Sequence, residues 1–206
     1  MHRRHMLSLL LVGAALPGIA RAQSAAATPD QTKQWETPRF IGSPDAKNTV
    51  EEWFSLTCTH CAHFAQDTFP DIKKNLIDTG KVRWVFKDFP LDQLALTAAM
   101  IARALPPDRY EPFIVALFNS QDRWAFDQDA DPMKALWNMA ALAGMSRPIF
   151  DAAVGDTDLR DWIMQTQKAA QDKWSIDATP SFVVNGKKYS GEMAYDDFVK
   201  LLPGIS

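Results

Sequence analysis

The period of the apolar positions changes several times along this chain, and each change marks an element. Residues 48–56 form a short apolar run. Val50, Glu52 and Phe54 alternate with Glu51, Trp53 and Ser55, which predicts a buried strand. Over residues 62–78 the apolar positions are Ala62, Ala65, Phe69, Ile72, Leu76 and Ile77, a helical spacing. Pro70 lies inside that stretch. It has no amide hydrogen and its ring crowds the preceding turn, so the helix is expected to kink or split there. Thr79-Gly80 ends it, and residues 81–87 alternate as a second strand. Such a unit closes by default with parallel strands and a right-handed crossover.

A helical block follows. Residues 91–105 read as one helix stopped by Pro106-Pro107, and 108–120 as another. Asp131-Pro132 opens a third, ended by Gly144; Ser146-Arg147-Pro148 starts a short fourth; residues 156–174 form a long fifth. Two strands then return, 181–184 and 187–189, joined by Asn185-Gly186, a strong hairpin signal. Residues 195–202 read as a closing helix. The order is β-α-β, helices, β-β-α: an α/β sheet domain in two parts, 39–90 and 175–206, with a helical domain inserted over 91–174.

The N-terminus has a different character. Basic residues at 1–6, an apolar run over 7–20 and Ala20-Arg21-Ala22 read as an export signal occupying residues 1–22. Arg3-Arg4 and Arg21 leave the general and twin-arginine routes both open. Residues 23–38, rich in Ala, Thr and Gln, read as a flexible leader with only Trp35 to bury.

Composition narrows the function classes. The chain has 206 residues, 47% hydrophobic and 23% charged, ordinary for a globular protein. Loss of residues 1–22 removes three of the 22 basic side chains and none of the 25 acidic ones, leaving 19 against 25, a net charge of −6. That balance, with no basic stripe, argues against a nucleic-acid partner. There are two cysteines, Cys58 and Cys61. With only two residues between them, the loop they close is too small for a useful structural staple. They sit where the first strand becomes a helix, with Cys58 at the helix start. Free backbone N–H groups and the helix dipole favour a thiolate there. The position suggests redox chemistry.

The run Val50-Glu51-Glu52-Trp53-Phe54-Ser55-Leu56-Thr57-Cys58-Thr59-His60-Cys61 resembles the DsbA-like thiol–disulfide oxidoreductases of the thioredoxin superfamily. The resemblance extends to residues 82–91, the helical insertion and Thr179-Pro180-Ser181-Phe182-Val183-Val184-Asn185-Gly186, about residues 40–204 in all. It implies a thioredoxin fold with an inserted helical domain, acting in the periplasm to put disulfides into newly exported thiol-containing proteins. A membrane thiol oxidase of DsbB type would reoxidise it. No cofactor is implied beyond the Cys58–Cys61 disulfide. In this frame Cys58 is the nucleophile and the more exposed sulfur, and Cys61 the buried resolving thiol. His60, inside the ring closed by the disulfide, would favour the thiolate. Glu52 lies where such proteins carry a buried acid that relays protons to Cys61. Thr179-Pro180 would be a threonine–cis-proline pair that binds an extended substrate. A Cys58 pKa lowered to about 4.5 would stabilise the reduced protein by roughly 3 kcal/mol at neutral pH.

Two departures from the resemblance matter. Glu51 replaces a usual apolar residue. Threonine at 179, where many oxidases have valine, is frequent in the isomerase branch, so an isomerase or reductase kept reduced is the alternative. Residues 23–40 leave no room for the extra domain through which such isomerases dimerise, which favours an oxidase acting as a monomer. A third reading is a metal-binding dithiol. Cys58, His60, Cys61 and His63 spell C-x-H-C-x-H, but structural zinc usually takes a second ligand pair from another element, so no metal site is expected. Ala62 after the second cysteine excludes haem attachment.

Overall fold

The computed structural model describes residues 27–205. The export signal expected over residues 1–22 lies outside them. Five strands form one mixed sheet in the order β1-β3-β2-β4-β5: β1 Arg39–Ile41, β2 Asn48–Phe54, β3 Val82–Asp88, β4 Ser181–Val184 and β5 Lys187–Ser190. The central pair β2 and β3 is parallel, with Val50 opposite Trp84 and Glu52 opposite Phe86. The remaining pairs are antiparallel. Asn185 and Gly186 both take positive φ, 48° and 86°, the backbone of a type I′ hairpin. Asn185 also accepts from the Thr49 N–H at 2.9 Å and donates to Asn48 Oδ1 at 2.8 Å, which pins the hairpin to the start of β2. Gly42 has φ +87°, and a Cβ there would meet the Val82 carbonyl at 2.4 Å. The turn between β1 and β2 therefore requires glycine.

The helix after β2 runs through four segments: α2 Thr59–His63, a π-helical stretch Phe64–Thr68, α3 Phe69–Ile72 and a second π-helical stretch Lys73–Ile77. The first π stretch directly precedes the turn containing Pro70, where the ordinary helical hydrogen bond is missing. The expected interruption is thus met by widening the helix rather than by breaking it.

The helical block comprises α4 Gln93–Arg103, α5 Pro107–Asn119, α6 Gln121–Trp124, α7 Pro132–Leu142, α8 Arg147–Gly155 and α9 Thr157–Trp174; α10 Tyr195–Val199 closes the fold. One hydrophobic core runs from the sheet into this block, from Val50, Phe54 and Trp84 to Leu117, Leu136 and Phe150. The other sheet face carries Trp53 and Val183, covered with Phe89 by Ala170 of α9 and Ile176 just beyond it. On that face Glu51 stands 3.9 Å from Lys87, and this cross-strand pair accounts for a charge in an otherwise buried strand. Among the described residues no helix is long and apolar enough to cross a membrane.

The stretch read as a flexible leader is helical in part. Helix α1, Pro29–Trp35, is capped by Thr28, with Gln31 completing a capping box. Trp35 is buried in the core. A buried charged cluster holds this segment. Arg103 pairs with Asp88 and donates to the carbonyls of Trp35 and Thr37, each at 3.1 Å. Arg39 donates to the Arg103 carbonyl at 2.7 Å, and the Tyr110 hydroxyl to Asp88 at 3.3 Å. An ion pair so deeply buried needs these extra partners to offset its desolvation.

Candidate active site

Cys58 is the N-cap of α2, in extended conformation. The chain reaches it through a turn closed by the Cys58 N–H on the Ser55 carbonyl at 3.1 Å. Two distant elements hold that turn. The Thr57 hydroxyl donates to Asp92 at 2.6 Å, the residue that caps α4. The buried amide of Gln121, on α6, donates to the carbonyls of Leu56 at 2.8 Å and Cys58 at 3.1 Å. Neither contact has a local sequence signal, because each joins residues 35 or more apart in the chain.

The two thiols are free and unequal. Cys61 is fully buried and Cys58 is 8% exposed. The Cys58 sulfur accepts from the Cys61 N–H at 3.4 Å, and its thiol donates to the Thr179 carbonyl at 3.3 Å. Its pKa falls from 9.0 to about 6. The largest cause is hydrogen bonding from the Cys61 thiol. Burial opposes the shift, while the Thr179 hydroxyl and the backbone N–H groups of Cys61 and His60 add to it. Burial and the neighbouring Cys58 push Cys61 the other way, well above the usual thiol range. An acidic, less buried thiol thus leans on a neutral, sealed one.

The Thr179–Pro180 peptide bond is cis, and Thr179 lies against the pair. Its hydroxyl is buried with no partner among the described residues, so it is available to an ionised sulfur. Glu52 is 4% exposed on the sheet face that carries Trp84 and Phe182, an aromatic pair 6.0 Å apart. Its carboxylate accepts from the Trp84 indole at 2.9 Å. Burial raises its pKa to about 7 despite that hydrogen bond.

His60 stands elsewhere than the spacing suggests. Its imidazole is turned outward, with Nδ1 3.3 Å from Glu192, a residue between β5 and α10. What it gives Cys58 is a backbone N–H. Of the expected residues, Cys58, Cys61, Thr179 and Pro180 converge, Glu52 lies in the core on β2, and the His60 side chain points away.

A family model described as Thioredoxin matches residues 34–203. The fold is similar to that of alpha-DsbA1 from Wolbachia pipientis, with a TM-score of 0.76 and 30% identity, covering 87% of this chain and 92% of that one. In sequence the chain is 28% identical over 163 residues to disulfide bond formation protein D of Bacillus subtilis, covering 76% of this chain and 72% of that protein. It is also 28% identical over 147 residues to a Rickettsia felis protein named as a protein-disulfide oxidoreductase, covering 71% of this chain and 52% of that protein. The chain therefore spans about half the length of the first curated relatives it matches.

Proposed function

The chain belongs to the thioredoxin family, among its DsbA-like members, and on that premise we propose that it is a periplasmic thiol–disulfide oxidoreductase that oxidises exported proteins. The observation that carries this reading is the asymmetry of the dithiol. Cys58 ionises near pH 6 while Cys61 stays protonated. A thiol acidic enough to be an anion at neutral pH is a good leaving group, and stabilising it in the reduced state makes the disulfide readily reduced.

The exchange conserves electrons and protons. A client thiolate attacks the Cys58 sulfur of the oxidised pair. The Cys58–Cys61 bond breaks, and its electron pair stays on Cys61, which takes a proton. The client's second thiolate then attacks its own sulfur in the mixed disulfide and expels Cys58 as thiolate. The client loses two electrons and the pair gains them. Glu52, raised to about 7, is suited to supply a proton on the Cys61 side. When Cys58 ionises, the Thr179 carbonyl loses its thiol donor and becomes free to accept a backbone N–H from an extended client. His60 contributes its backbone N–H at the helix start.

In the cell, the export signal over residues 1–22 sends the chain to the periplasm. Unfolded thiol proteins are its clients, a membrane thiol oxidase of DsbB type its reoxidant, and it works as a monomer. Thr179 supports a second reading, an isomerase or reductase. The reduction potential of the Cys58–Cys61 couple separates the two. A value above about −200 mV, with accelerated oxidative folding of a reduced client, is expected; a value near about −270 mV would assign the reductase role.

A further inference from the structure

The motif C-x-H-C-x-H reads as no metal site in sequence, since its four side chains crowd one helical turn. The fold separates them. Both sulfurs turn inward, while His60 and His63 are exposed on the outer side of α2. A third ligand type then arrives from another element. Glu192, in the segment joining β5 to α10, lies between the two rings. His60 Nδ1 is 3.3 Å from one carboxylate oxygen and His63 Nδ1 is 3.8 Å from the other. One donor atom from each residue lies within 4.8 Å of the others. Glu192 is held in place by its neighbour, because the Thr68 hydroxyl donates to the Met193 carbonyl at 3.1 Å. A shallow depression of about 260 Å³, lined by His63, Asp67, Thr68 and Glu192, adjoins the group.

We propose that His60, His63 and Glu192 form a binding site for a divalent transition-metal cation of the zinc class. Ligand atoms about 2.0–2.1 Å from a tetrahedral ion stand about 3.3–3.4 Å from one another. The observed separations reach that with small rotations of exposed side chains. Two imidazoles and one carboxylate are a donor set that zinc accepts, and three protein ligands leave a position open. The site is therefore of the exchangeable kind, on the outer face of the turn whose inner face carries the dithiol. A bound ion ties α2 to the segment leading into α10.

The test keeps the thiols out of the ligand set. The untagged full chain, with its Cys58–Cys61 disulfide formed, is titrated with Zn2+ in competition with a chromophoric chelator. One equivalent is expected to bind. Glu192→Gln and His63→Ala are each expected to weaken binding at least about tenfold. Co2+ in the same protein should show tetrahedral or five-coordinate bands without thiolate charge transfer. The site is refuted by no binding to the oxidised chain, by binding that appears only on reduction, or by equal affinities in wild type and both variants.

Discussion

Glu52 shows what a single residue owes to its surroundings. A carboxylate on a central strand, in contact with an aromatic core and given one hydrogen bond by Trp84, is costly to ionise. Its pKa is raised from 4.5 to about 7. A folded-state pKa above the unfolded one means that stability is full below pH 4.5 and is lost as pH rises to about 7. The loss is about 3 kcal/mol once complete. Glu52→Gln keeps an acceptor for Trp84 and removes the titration. Relative to wild type, the variant is therefore expected to gain stability between pH 4.5 and pH 8 in denaturant titrations. A stability difference that stays flat across that range would show that Glu52 ionises as an ordinary carboxylate.

At the scale of elements, the site is a junction made by three pieces of chain. Helix α2 supplies Cys58 and Cys61, the segment before β4 supplies the cis Thr179–Pro180 bond, and α6 supplies Gln121. The first two are neighbours because β2 and β4 pair side by side, with Trp53 opposite Ser181. Gln121 acts as a positioning residue. Its amide holds the carbonyls of Leu56 and Cys58, and both lie on the loop that presents the reactive sulfur. Gln121→Ala is expected to cost about 1–3 kcal/mol, since buried carbonyls lose their donor. It should also speed amide hydrogen exchange over residues 56–61. Unchanged exchange in that segment would remove the positioning role and leave Gln121 as core filler.

For the molecule as a whole, the ionised thiol couples redox state to folding. The Cys58 pKa is depressed, from 9.0 to about 6, so its contribution is full above the unfolded value and disappears as pH falls through about 6. It is on the order of 1 kcal/mol at pH 7 and grows toward pH 9, by less than the full shift implies because solvent screens a partly exposed sulfur. Burial of Cys58 opposes its ionisation, and the His60 imidazole stands beside Glu192 rather than at the sulfur. The oxidised protein lacks this group. The stability of the reduced chain relative to the oxidised one should therefore rise steadily from pH 5 to pH 8 in thermal melts. A difference that does not move with pH would mean that Cys58 titrates like a free thiol.

The elements and the place of the dithiol were legible in the amino-acid sequence because they rest on near neighbours. Alternation made β2 and β3 visible, Asn185-Gly186 marked the hairpin, and the strand-to-helix change put Cys58 at a helix start. Trp35 looked like the one anchor of a loose leader, yet the helix around it is held by Arg103, 68 positions away along the chain. Gln121 and Glu192 were silent for the same reason: a residue's partner across the fold leaves no trace in local periodicity. Ionisation belongs to the tertiary level as well. It depends on how much water each group loses and on which donors packing brings to it. The acidity of Cys58 rests mainly on its near neighbours, the Cys61 thiol first and the Cys61 and His60 backbone N–H groups after it, whereas the reluctance of Cys61 and the direction of His60 were decided only when distant segments closed around them.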